Sequence, residues 1–282
     1  MTKYPGPMDN LLKLFALKDV NIETIYPAVT LTSLSPRQIV QIDKSREVSM
    51  LSEQTDDADF KLFSDSSGQD NGIGASAVLY EKRRARPLTT LQVFMGAPDQ
   101  HNTFEAEAVG AVLALWILGN TSATIGKTVS LFTDSQSIVT SLPHPKATSG
   151  QYLLSLLRTA IENTGCRLSI KWISGHSKVK GNELADRITK RAAAGCSSAR
   201  DSLPELLRSL LPRSASVLKQ SFMKDLKAQW AESWEASSRK LRVSQFRGVF
   251  PLSSLLNRVR FMFREVQFRF KKPEYSQNML LH

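Results

Sequence analysis

Four acidic residues, Asp65, Glu107, Asp134 and Asp186, fall along the chain at points from which a folded domain could present them to one site. Carboxylates gathered that closely repel one another unless cations lie between them. Oxygen donors without a cysteine favour Mg2+ or Mn2+ over zinc. Two such ions about 3.5–4 Å apart are a known means of hydrolysing a phosphodiester: one prepares the attacking water and the other stabilises the leaving oxygen. The stretch from Ile173 to Asp186 also carries His176, on a loop ahead of a helix start.

Each residue has a plainer reading. Asp65, before Ser66-Ser67-Gly68, is placed as a turn residue would be, bonding its own backbone. Asp134, before Ser135, could cap a helix. Asp186 could pair only with Lys190, and Glu183 with Arg187, each worth about a few tenths of a kcal/mol. His176 could be an ordinary loop histidine. Glu107 is harder to explain away, because a carboxylate on an apolar helix is costly unless paired. Glu105, two residues earlier, could be mistaken for it.

The elements that must position these groups begin at Asp59. Phe60, Leu62 and Ser64 alternate with Lys61, Phe63 and Asp65 in a strand, and Asn71-Gly72 turns the chain into a second over 73–80. A charged turn at 82–87 leads to a third strand over 88–95. Short connections make these three antiparallel neighbours. Asn102 or Thr103 caps an apolar helix to about Leu118, whose Ala106, Gly110, Ala111 and Ala114 permit close approach to a sheet. A fourth strand over 127–133 runs into a short helix that Pro143-His144-Pro145 ends. A helix over 149–162, a fifth strand over 167–173 and a last helix capped by Asn182 complete the order βββαβααβα. This predicts an α/β fold on a five-stranded mixed sheet, three antiparallel strands and then two parallel, flanked by helices. The first and fourth strands are neighbours in it, so Asp65 stands beside Asp134.

The formal charge is +11. It is uneven: residues 1–56 hold 6 basic and 7 acidic groups, 57–202 hold 16 and 13, and 203–282 hold 15 and 6. A basic balance favours a polyanionic partner such as nucleic acid, although solubility alone also accounts for a modest excess. The expected division is a linker or upstream remnant over 1–57, a folded domain over 58–196, and a basic extension, helical or partly disordered, over 197–282. Leu11 to Leu17 reads as one short amphipathic helix. In the extension, 203–212 and 216–237 read as helical segments, and 246–272 interleaves aromatics with arginine and lysine, either as packing or as a nucleic-acid grip. Cys166 and Cys196 form no disulfide framework or cysteine metal site, so a reducing compartment is expected. The apolar run over 106–118 is too short to span a bilayer, and no secretory signal is evident. The expectation is an intracellular protein away from membranes, in nucleus or cytoplasm.

Four blocks, Phe63 to Gly68, Thr103 to Ala108, Phe132 to Ser137 and Gly175 to Asp186, resemble in order those of the type 1 ribonuclease H family. More narrowly, they are similar to the ribonuclease H domains of non-LTR retrotransposons, fungal ones in particular. The resemblance covers about residues 58–196 and implies a ribonuclease H-like fold. It also implies metal-dependent, endonucleolytic hydrolysis of the RNA strand of an RNA–DNA hybrid. Two Mg2+ ions, with Mn2+ as a substitute, would be held by Asp65, Glu107, Asp134 and Asp186. His176 would assist proton transfer or product release, which suits a group titrating near neutrality. Gln136, Thr103, Ser67 and Gly68 would contact the hybrid, whose 2′-hydroxyls line the shallow minor groove. A reverse transcriptase domain in a parent polyprotein is the implied partner.

This chain departs from the family pattern at Ser66, where glycine is common. The short connection from Ser141 to Gly150 leaves no room for the basic protrusion of some bacterial members, so Lys178, Lys180, Lys190, Arg191 or the tail would have to substitute. No intact reverse transcriptase precedes the domain, which points to a fragment or domesticated remnant. The alternatives are a catalytically silent nucleic-acid-binding remnant and a DNA-cutting nuclease or transposase on the same fold.

Overall fold

The computed structural model describes residues 20–26, 38–69, 72–143, 146–175 and 179–235. The chain forms two compact units, residues 1–221 and 222–282. Among the described residues, the first unit is built on strands Ile39–Gln41 (β1), Phe60–Gln69 (β2), Gly72–Glu81 (β3), Thr89–Gly96 (β4), Thr128–Thr133 (β5) and Arg167–Trp172 (β6). They form one mixed sheet in the order β1-β6-β5-β2-β3-β4. The helices are Arg46–Gln54 (α1), Thr103–Gly119 (α2), Gln136–Ser141 (α3), Gln151–Glu162 (α4), Lys180–Ala193 (α5) and Ala215–Glu235 (α6).

From β2 to α5 the order is βββαβααβα. β2, β3 and β4 are antiparallel, while β5 runs parallel to β2 and β6 parallel to β5. Ser64 of β2 lies opposite Thr133 of β5, so Asp65, within β2, and Asp134, just past the end of β5, stand side by side. The sheet has six strands rather than five, because β1 adds a parallel edge on β6 with Ile39 opposite Ser169. Three residues are too few to carry a readable period.

Alternation along β2 feeds two cores. Phe60 and Leu62 join Ala75, Ala77 and Leu79 of β3 beneath α2 and α4, where Leu153, Leu154, Leu157 and Ile161 are buried. Phe63 and Val78 face the other way with Phe132 and Ile173, against Ala185 and Ile188 of α5. The Phe63 and Phe132 rings stack at 5.3 Å. Glycines set how closely α5 sits: a Cβ on Gly181 would stand 2.2 Å from the Phe63 ring, and one on Gly74 2.3 Å from the Ala193 nitrogen.

That contact also moves the start of α5. Val179, not Asn182, occupies the capping position, without a side-chain cap. Packing of Gly181 on Phe63 draws the first turn inward, and Asn182 is buried within it. The segment over 203–212 is likewise not one helix. Short 3-10 turns at Arg200–Ser202 and Glu205–Arg208 flank Pro204, which breaks any continuous helix. They lay Leu203, Leu207 and Leu211 into the larger core, and the Trp116 indole N–H of α2 donates to the Ser202 carbonyl at 2.8 Å.

The flanks also meet each other. The Glu23 carboxylate accepts from the Gly150 N–H at 2.7 Å and the Ala215 N–H at 2.8 Å, at the starts of α4 and α6. In the second unit, Trp230 and Trp234 stack one turn apart at 5.7 Å. The helix expected over 11–17, Asn71, residues 144–145 and the aromatic and basic run over 246–272 lie outside the described residues. No helix among the described residues is long and apolar enough to cross a membrane.

Candidate active site

Asp65 lies within β2, paired with Ser76 of β3, and so is not a turn residue. It is buried, and its carboxylate accepts the Ser66 N–H at 2.8 Å. Its carbonyl accepts the Thr189 hydroxyl of α5 at 3.0 Å. On the opposite side α2 comes close because of Gly110, where a Cβ would stand 3.0 Å from that same carbonyl oxygen.

Gly110 is one turn beyond Glu107, and the close approach brings the Glu107 carboxylate to Asp65. Glu105 is spent elsewhere. It completes a capping box, accepting the Asn102 N–H at 2.9 Å while Asn102 accepts its N–H at 2.8 Å. Two residues on a helix are about 200° apart, so one glutamate faces the site when the other caps the helix.

Asp134 follows β5 directly. Ser135, not Asp134, caps α3, accepting the Ile138 N–H. The Trp172 indole donates to the Asp134 carbonyl at 3.0 Å, and a Cβ on Gly175 would stand 3.1 Å from Asp134 Oδ2. Among the described residues, one ligand atom each from Asp65, Glu107 and Asp134 lies within 4.8 Å of the others, a group that could hold a metal ion.

The electrostatics match that crowding. Burial, and then the Asp134 charge, push the Asp65 carboxyl up to about 7. The same two causes push Glu107 up to about 8, with the hydrogen bond from Ser66 opposing them. Glu107 Oε2 is buried without a hydrogen-bond partner. The donor set is oxygen only, and the carboxylates raise one another's pKa, which fits a hard divalent cation.

Asp186 stands outside this group. Its carboxylate is bonded to Lys190 Nζ at 2.7 Å, the i,i+4 pair that was its plainer reading. Its charge still contributes to raising the Asp65 carboxyl. His176 and Lys178 lie outside the described residues. Thr103 and Gln136 are exposed first residues of α2 and α3, and half-buried Ser67 and exposed Gly68 continue β2 beyond Asp65. Two contributors have no place in the site by sequence reasoning alone. Ser66, a departure from the family's glycine, donates its hydroxyl to Glu107 Oε1 at 2.7 Å. Trp172 carries no sequence signal that ties it to Asp134.

Residues 57–194 match the RNase H family model. No curated protein matches the chain. Among solved structures, the N-terminal RNase H domain of a Mycobacterium tuberculosis protein, fused to maltose-binding protein, is 19% identical with a TM-score of 0.37, covering 48% of this chain and 93% of that one. RNase H1 from the halophilic archaeon Halobacterium salinarum is 18% identical with a TM-score of 0.37, covering 47% and 96%. The native protease-reverse transcriptase of prototype foamy virus is 18% identical with a TM-score of 0.42, covering 70% of this chain and 29% of its own. The sheet and its helices form a ribonuclease H-like α/β fold, and residues 57–194 are a domain of the ribonuclease H family.

Proposed function

We propose that this domain cleaves the RNA strand of RNA–DNA hybrids endonucleolytically, using two divalent cations, Mg2+ by preference. The observation that carries the proposal is the convergence of Asp65, Glu107 and Asp134 within 4.8 Å. Such a cluster is unfavourable in its ionised form unless it holds cations.

Asp65, Glu107 and Asp134 would hold the cations, with Asp186, here paired with Lys190, as the fourth residue that would hold them. Bound cations supply Lewis acidity toward the scissile phosphate and the attacking water. The protein's part is orientation: β2 and α5 fix Asp65, Trp172 fixes the Asp134 backbone, and Gly110 sets the depth of Glu107. His176 is given the proton-transfer role, because it follows Gly175, which lies against Asp134. Thr103, Gln136, Ser67 and Gly68 are given contacts to the hybrid, where 2′-hydroxyls distinguish RNA from DNA. The retrotransposon-like motif blocks support a reverse transcriptase domain as the covalent partner in a parent polyprotein. One neighbour's description, an RNase H1 in complex with an RNA/DNA hybrid, is consistent with the substrate class.

The test offers purified protein with Mg2+ an RNA–DNA hybrid, duplex DNA and duplex RNA, beside Asp134→Asn. Hybrid-selective cleavage lost in the variant supports the proposal. Cleavage of duplex DNA would replace it with a DNA-cutting nuclease, and hybrid binding without cleavage with a silent remnant.

A further inference from the structure

Ser66 touches two of the three clustered carboxylates at once. Its backbone N–H donates to Asp65 Oδ1 at 2.8 Å, and its hydroxyl donates to Glu107 Oε1 at 2.7 Å. One oxygen of each carboxylate is thereby engaged. Glu107 Oε2 is left buried with no hydrogen-bond partner, in the group whose ligand atoms lie within 4.8 Å of one another.

We infer that Ser66 is a positioning residue for the metal centre, assigning Asp65 Oδ2 and Glu107 Oε2 to the cation by engaging the other oxygen of each. The inference rests on reading these carboxylates as cation ligands. A glutamate's terminal torsion is broad and roughly two-fold, so an unsupported carboxylate samples several orientations. The Ser66 hydroxyl selects one before a cation arrives. Its backbone N–H would persist in any non-proline substitution, but only a side-chain hydroxyl supplies the second bond. A glycine at this position would leave the Glu107 orientation to other contacts. The serine therefore makes this centre differently supported from one built with glycine.

Supporting partners of metal ligands are typically worth about 10–100-fold in metal affinity. The test is direct Mn2+ titration, by electron paramagnetic resonance and calorimetry, of the full chain and of Ser66→Ala, Ser66→Gly and Ser66→Thr. Circular dichroism and metal-free melting check that each variant is folded. Alanine and glycine should each weaken the tightest Mn2+ site roughly tenfold or more, and threonine should restore most of that affinity. In hybrid cleavage, the half-saturating Mg2+ concentration should rise by a similar factor, with a smaller change at saturating Mg2+. Folded alanine and glycine variants that bind Mn2+ as the parent does would overturn the inference alone. Failure of the parent chain to bind Mn2+ would instead overturn the metal-centre reading beneath it.

Discussion

The backbone N–H of Ser174 donates to the Ser49 hydroxyl at 3.2 Å, tying the strand exit beside the candidate site to a helix that precedes the family-matched segment. Ser49 is fully buried, and its hydroxyl in turn donates to the Arg46 carbonyl of α1 at 2.8 Å. Ser174 is followed by Gly175, which lies against Asp134. Upstream sequence therefore braces the backbone that leads from β6 to Gly175.

Ser49→Ala should remove the acceptor for the Ser174 N–H. An unsatisfied buried donor costs about 1–3 kcal/mol, so the melting temperature should fall by several degrees. The hybrid-cleavage kcat should fall several-fold with little change in KM, and a chain that begins at residue 57 and keeps its C-terminal core segment should show a larger loss of both stability and kcat. Ser49→Ala that melts and turns over like the parent would show that α1 is a bystander.

A second expectation concerns pH. The folded values of about 7 for Asp65 and about 8 for Glu107 lie above the ordinary 3.8 and 4.5. A carboxyl raised on folding favours the fold while it is protonated, and that contribution is lost as pH rises through the folded value. Metal-free protein should thus lose stability from about pH 4 to about pH 8. Mg2+ should stabilise it more at the alkaline end, and binding near neutrality should release protons. Asp134→Asn removes one repelling charge, so it should raise the metal-free melting temperature near pH 8 while abolishing the response to Mg2+. Melting curves with and without Mg2+ across this range are the check, and a Mg2+ shift independent of pH would contradict it.

The order of the elements was legible because short alternating runs, Gly and Pro punctuation and one long apolar helix each leave a periodic trace. That order placed Asp65 beside Asp134 without any side-chain detail. What eluded sequence was set by contacts distant along the chain. The three-residue β1 exists through its pairing with β6. The start of α5 follows from the packing of Gly181 on Phe63. Segment 200–211 reads as an extension by composition, yet its leucines at 203, 207 and 211 are core residues. The family resemblance singled out Glu107 over Glu105, but the physical reason, the capping box that Asn102 closes with Glu105, lies in the fold. The bond from Ser66 to Glu107 joins residues 41 apart, with no local signature.

Lys190 and Asp186 yield a third expectation. Their 2.7 Å pair is half exposed on the lysine side, so its direct contribution to stability is small. It nevertheless neutralises the carboxylate proposed as the fourth ligand. Lys190→Gln should leave melting nearly unchanged while lowering the Mg2+ concentration needed for half-maximal cleavage about two- to threefold, the scale of a surface ion pair. A raised Mg2+ requirement would mean that Lys190 supports the site instead of competing with the cation.

The last expectation separates the tail from the segment that precedes it. Residues 203–211 help to fill the core, so removing everything from 203 would confound binding with unfolding. The basic surplus lies farther on: residues 236–282 hold ten basic and two acidic groups, with seven aromatics interleaved. If this run grips nucleic acid by pairing with phosphates and stacking on bases, a chain ending at Glu235 should melt like the parent but bind hybrid more weakly. The slope of log affinity against log salt should flatten by roughly 0.7–0.9 for each phosphate that the tail no longer neutralises. Affinity measured by anisotropy at several salt concentrations decides the matter. An unchanged slope would assign the electrostatic footprint to the folded unit, where Lys180, Arg187 and Arg191 on α5 would then be the groups to replace.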